Sequence, residues 1–174
     1  TGVQTCALPI CESTGVMPEP AAIASVSPRA GAAPKRPSGG ITSTVILRRA
    51  LELHGADVVH FIPERLKDGY GLQPVAIERL HADGVSLVIS VDCGIRGAEA
   101  GRRARELGVD LIITDHHEPD EALPPALAVI NPKRSDCSYP DKHLAGVGVA
   151  LKVVQAICAR TSHTNWLPGR TGSR

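Results

Sequence analysis

The chain has 174 residues, 43% of them apolar and 21% charged, with a formal net charge of +1. That is the balance of an ordinary soluble chain, long enough for one domain with its own core and too short for two comfortable ones. No apolar run reaches the roughly 18–20 residues of a membrane span, and no charged stretch followed by an apolar one opens the chain, so neither a membrane segment nor a signal peptide is expected.

Aromatic residues make up 2%, so the core must be built from Val, Ile, Leu and Ala. The five cysteines, Cys6, Cys11, Cys93, Cys137 and Cys158, are odd in number, irregularly spaced and without a CxxC. A disulfide framework or a structural zinc site is therefore not expected, and a cytoplasmic location fits. Near-neutral net charge leaves a nucleic-acid partner open, because local clustering of charge decides that question.

In chain order, residues 1–39 come first, rich in Ala, Pro, Ser and Gly and aperiodic, which reads as an irregular or disordered segment. Its opening "TGVQTCALPI" also resembles translated sequencing-adapter read-through. Regularity begins at residue 40 and lasts to about 160. Thr42 or Ser43 can cap a helix with Ile46, Leu47, Ala50 and Leu51 on one face, stopped by Gly55. "DVVHFIP" predicts a strand. Pro74 opens a second helix carrying Ile77 and Leu80 and ending near Gly84. "SLVISVD" predicts a buried strand. A third helix carries Ala100, Ala104 and Leu107 and stops at Gly108. "VDLIIT" and "LAVIN" predict two more strands, and Ala150, Val153, Val154 and Ile157 mark a final amphipathic helix. Residues 161–174 form an irregular tail. Strands that are apolar throughout and alternate with helices are buried on both faces, so the expected fold is α/β, an open doubly wound parallel sheet with helices on both faces.

In such a sheet, ligands bind beyond the carboxyl ends of the strands. "SLVISVD" ends in Asp92, then Cys93 and Gly94; "VDLIIT" ends in Asp115, His116 and His117. One crossover joins these strands, so all four polar side chains are expected at one rim, where Gly94 would let the backbone turn close to a ligand. Carboxylate with imidazole suits Mn²⁺, Mg²⁺ or similar hydrolytic metals, and a pair of such ions can activate water and neutralise a phosphoryl group. The competing reading is a turn-forming Asp and a polar loop. Cys93 reads as a small core residue because no activating partner is evident. His54, His60, His81 and His143 are scattered and read as structural or solvated. "RLKDGYGL" at 65–72 carries Arg65, Lys67 and Tyr70 and is either a plain turn or a loop over a substrate. "LAGVGVALK" puts Gly146 and Gly148 at a helix start, a weak signal for phosphate binding.

"VISVDCGI", "IITDHHEP" and "LAGVGVALK", in this order and spacing, resemble the DHH phosphoesterase superfamily. "FIPERLKDGYGL" and "AVINPKRSDCSYPDKHLAGVGVALK" make the chain similar to the RecJ family of bacterial single-stranded-DNA-specific 5′→3′ exonucleases. The resemblance runs from about Gly40 to about Ala159. It implies a truncated DHH domain in which Asp92 bridges two divalent ions, His116 is a metal ligand, Asp115 orients the site, and His117 contacts the scissile phosphate or supports the metal shell. It implies Mn²⁺ or Mg²⁺ as cofactor, Arg65, Tyr70, Gly146 and Gly148 as substrate-binding residues, and release of 5′-mononucleotides from single-stranded DNA in recombination and repair. Partners implied are single-stranded DNA, a single-strand-binding protein and a helicase, with no membrane.

The sequence departs from the family pattern where an Asp-x-Asp-x-Asp-Gly run should lead into "GITST". Lys35, Pro37 and Gly39 stand at the three aspartate positions. A further aspartate is expected downstream of the last helix, beyond this sequence. The resemblance thus implies an incomplete two-metal site, an inactive chain, and a frame error or chimeric join near "GITST". Two alternatives stand beside it: a DHH phosphodiesterase for short oligonucleotides or cyclic dinucleotides, and a non-catalytic α/β binding module.

Overall fold

The structure, a computed structural model, describes residues 23–26, 39–62 and 71–160. Five parallel strands, β1 (Ile23–Val26), β2 (Val58–Phe61), β3 (Leu87–Val91), β4 (Asp110–Thr114) and β5 (Ala128–Ile130), form one sheet in the order 2-1-3-4-5. Four helices accompany them among the described residues: α1 (Gly39–Leu53), α2 (Pro74–Ala82), α3 (Ala98–Leu107) and α4 (Gly146–Arg160).

The strand periodicity divides the core in two. In β3, Val88 faces one way, into a cluster with Ile77 and Leu80 of α2, Ala100 and Ala104 of α3, and Leu111 and Ile113 of β4. Ile89 and Val91 face the other way, onto Leu47, Ala50 and Leu51 of α1 and Ala150, Val153 and Val154 of α4. Each helix buries the stripe its sequence offers, as α4 does with Gly146, Val149, Ala150, Val153 and Val154 at helical spacing. The doubly wound α/β architecture is therefore as the alternation predicts, two helices to each face. Gly108 ends α3 at φ +70°, and the N–H of Val109 reaches back to the carbonyl of Ala104, which satisfies a carbonyl the helix leaves open.

Two details differ from expectation, and a third concerns a connection for which no helix is expected. The first helix starts at Gly39, so Thr42 and Ser43 lie inside it rather than at its cap. Ser43 is wholly buried on the inner face, where packing overrides the capping signal. Ile23–Val26, within the segment expected to be irregular, is a central strand paired with both β2 and β3. Four residues with Ala and Ser among them carry no readable period; pairing on two sides selects them as strand. The connection from β4 to β5, residues 115–127, contains no helix. Pro119, Pro124 and Pro125 interrupt it.

Among the described residues no helix is long and apolar enough to cross a membrane, and Cys93, Cys137 and Cys158 form no disulfide. Cys6 and Cys11 lie outside the described residues.

Candidate metal centre

The strand order reverses direction between β1 and β3, and in sheets of this order the ligand crevice opens at that reversal, beyond the strands' carboxyl ends. Asp92 is the first residue after β3; Asp115, His116 and His117 follow β4, the next strand over. The structure brings the four together.

The turn after β3 is held by polar groups the sequence places at strand ends. Thr114 Oγ1 donates to the carbonyl of Ser90 at 2.7 Å, and Ser90 Oγ donates to the carbonyl of Cys93 at 2.9 Å, both bonds buried. Asp92 adopts φ +62°, a conformation uncommon outside glycine and tolerated best by Asn and Asp. Gly94 follows at φ +109°, where a Cβ would lie 2.8 Å from Ser90 Oγ, so this position requires glycine.

Asp115 is 1% exposed, and its carboxylate accepts four hydrogen bonds. Oδ2 takes the N–H of Ile95 at 3.0 Å; Oδ1 takes the N–H of His116 at 2.7 Å, the N–H of His117 at 3.2 Å and Nδ1 of His117 at 2.6 Å. These bonds tie the Asp115 carboxylate to both loops, through Ile95 on one and His116 and His117 on the other. The bond to Nδ1 leaves the Nε2 of His117 as the outward acceptor, the arrangement by which a carboxylate fixes a ligating or phosphate-facing imidazole.

His116 Nε2 lies 3.0 Å from Asp92 Oδ1. Asp92, His116 and His117 each offer one donor atom, and these atoms all fall within 4.8 Å of one another. The 3.0 Å spacing of Asp92 and His116 matches adjacent ligands of an octahedral ion with bonds of about 2.1 Å, which stand about 3 Å apart. Burial pushes the Asp92 carboxyl above the ordinary carboxylate range, as does the charge of Asp115, while the two imidazoles oppose the rise. Burial likewise pushes the Cys93 thiol far up, so Cys93 is a core residue and no nucleophile.

A cavity of about 460 Å³ opens over these residues, in the range of small-molecule sites. Gly71, Leu72 and Gln73, at the end of the "RLKDGYGL" loop, line one side; Arg65, Lys67 and Tyr70 lie outside the described residues. Gly146 and Gly148 do not line it. Gly146 packs against Asp92, where a Cβ would come within 2.1 Å of Oδ1, and Gly148 packs against Leu144. His54, His60, His81 and His143 are likewise not among its lining residues.

The sequence reading missed Arg96, Lys133 and Asn131. Arg96 and Lys133 line the cavity. Asn131 is wholly buried, donates Nδ2 to the carbonyl of His117 at 2.8 Å and accepts the N–H of Lys133 on Oδ1 at 2.8 Å. The available signal was position: "NPK" directly follows β5, on the same rim as the other polar strand ends.

Fold and site together define a parallel α/β domain with a carboxylate–histidine cluster at its carboxyl rim, and the chain belongs to the DHH family: the family's N-terminal domain matches residues 39–169. Within that family its likeness is to RecJ. It is 46% identical over 118 residues to the single-stranded-DNA-specific exonuclease RecJ of Bacillus subtilis (strain 168), which covers 68% of this chain and 15% of that protein. To RecJ of Escherichia coli (strain K12) it is 40% identical over 132 residues, 75% of this chain and 23% of that protein. Among solved structures it resembles exonuclease RecJ bound to manganese, with a TM-score of 0.70 at 34% identity over 82% of this chain and 34% of that one. It also resembles RecJ in complex with Mn²⁺ from Thermus thermophilus, with a TM-score of 0.66 at 31% identity, over 82% of this chain and 19% of that one. The chain thus spans less than a quarter of the length of these two curated relatives.

Proposed function

We propose that this chain carries the histidine half of a divalent-metal phosphodiesterase centre directed at single-stranded DNA, and that by itself it does not complete hydrolysis. The observation that carries the reading is the convergence of Asp92, His116 and His117 within 4.8 Å at the mouth of a cavity. Asp92 and His116 would hold Mn²⁺ or Mg²⁺. Asp115 holds His117 by its Nδ1 so that Nε2 faces the ion or a phosphate oxygen. When bound, such an ion activates water and neutralises charge on a phosphodiester. The substrate assignment rests on the RecJ relatives, which are named as single-stranded-DNA-specific exonucleases.

Charge counts against activity. Residues 27–38, which lie outside the described residues, join β1 to α1, and the family's carboxylate run would fall at the end of that segment. Here it reads "SPRAGAAPKRPS", with three cations and no acid. Asp92 supplies the one carboxylate of the three clustered donor residues. A hard divalent ion prefers several anionic oxygens, so binding will be weak and a second ion will not be held.

Calorimetric titration of the purified chain with Mn²⁺ should show a weak site, Kd on the order of 1 mM, abolished by Asp92→Ala. Incubation with Mn²⁺ and 5′-labelled single strands should release no mononucleotides. Absence of any Mn²⁺ site would refute the metal reading, and release of mononucleotides that Asp92→Ala abolishes would refute the claim of inactivity.

A further inference from the structure

The cavity lining mixes two kinds of polar group. Asp92, His116 and His117 are one; the other is a pair of cations, Arg96 from the turn after β3 and Lys133 from the segment after β5. Both cations converge on one short piece of the β4–β5 connection. Lys133 Nζ sits 3.0 Å from Glu118 Oε1. Arg96 Nε donates to the carbonyl of Glu118 at 3.3 Å and pairs with Asp120 Oδ1 at 3.4 Å. Glu118 directly follows His117, so these contacts lie next to the histidine that Asp115 orients.

We propose that Arg96 and Lys133 form a binding site for a backbone phosphate of single-stranded DNA next to the scissile one, and that Glu118 and Asp120 occupy it when no strand is present. Three observations carry this. The placement of Lys133 is built: Asn131, wholly buried, ties the Lys133 backbone to the His117 carbonyl, fixing the cation's origin relative to the imidazole. The carboxylates now holding the cations are exchangeable, because the Glu118 side chain is 68% exposed and that of Asp120 is 60% exposed, and water screens ion pairs made by exposed carboxylates. A phosphodiester oxygen accepts the same donors and brings the rest of the strand's contacts with it. The cavity is also large enough to hold a nucleotide unit beside the metal ligands.

This inference deepens the proposed function and rests on its substrate class, yet it can fail separately. The test is binding of a short fluorescent oligothymidylate to the whole chain, by anisotropy across a salt series, in parallel with Mn²⁺ calorimetry. Arg96→Ala with Lys133→Ala should weaken oligonucleotide binding about tenfold and reduce the steepness of its log–log salt dependence by about 0.7, the equivalent of one phosphate contact. Mn²⁺ binding should be unchanged in that variant. Glu118→Gln should tighten oligonucleotide binding about threefold by removing the resident competitor. An unmodified chain that binds no oligonucleotide, a double variant with unchanged affinity and salt slope, or a Glu118→Gln chain that binds no better would each overturn the inference. Loss of the Mn²⁺ site in the unmodified chain, by contrast, strikes the proposed function and leaves the cation pair standing on its own binding data.

Discussion

Asp92 is the residue on which the site turns, and its φ of +62° is a cost of roughly 1 kcal/mol that the surrounding bonds absorb. Its carboxylate also needs room. Gly146 provides that room at the start of α4, because any Cβ there would meet Oδ1 at 2.1 Å. Gly146→Ala should therefore lower Mn²⁺ affinity at least tenfold, even though alanine favours a helix by up to about 1 kcal/mol over glycine. Gly148→Ala should leave Mn²⁺ affinity within about twofold, since its Cβ would meet the end of the flexible Leu144 side chain. Calorimetry on the pair checks both, and equal effects would remove the special role of Gly146. In the unmodified chain, Mn²⁺ affinity should rise with pH. Protons compete for Asp92, whose carboxyl burial has raised, so this ligand becomes available as pH climbs through its raised range.

At the scale of elements, the segment after β5 is anchored by Arg134, 3% exposed in a fold with few buried charges. It donates Nη1 to the carbonyl of Val129 in β5 and forms a two-armed pair with Asp136, Nε to Oδ1 at 2.9 Å and Nη2 to Oδ2. That pair fixes the segment that carries Asn131 and Lys133 to the site. Asp136→Asn should destabilise the chain by roughly 1 kcal/mol, below the 3–5 kcal/mol of a fully buried pair because the carboxylate is half exposed. Arg134 holds the Asp136 carboxyl below its ordinary range. Its stabilisation is thus present above the ordinary carboxylate pKa and is lost as pH falls through the lowered folded value. Denaturant melts of the two chains should differ at neutral pH and converge in acid; a constant difference would show that the ion pair contributes nothing.

At the scale of the whole molecule, the sheet depends on a strand that its own sequence barely announces. β1 lies between β2 and β3 and pairs with both over four residues. A chain beginning at Gly39 would leave β2 unpaired and expose the edge of β3. Such a truncation should lose the cooperative thermal transition expected of the full chain and aggregate on heating. Melting followed by circular dichroism decides this, and an unchanged transition would mean that Ile23–Val26 adds nothing to the fold.

The sequence by itself determined the strands and helices from Val58 onward, because their apolar periods are long and their ends are marked by Gly108, Pro74 and similar residues. It also determined that Asp92 and the Asp115–His117 run share a rim, because a parallel sheet puts the ends of successive strands on one edge. Only the tertiary structure decided how those residues divide the work. Asp115 accepts four hydrogen bonds while His116 and Asp92 face each other, a distinction of side-chain direction that spacing does not encode. Only the tertiary structure, too, brought Lys133 and Arg96 to the same cavity, set Asn131 behind them, and chose IASV as an interior strand. Those placements come from contacts between segments far apart in the chain, and such contacts leave no local period to read.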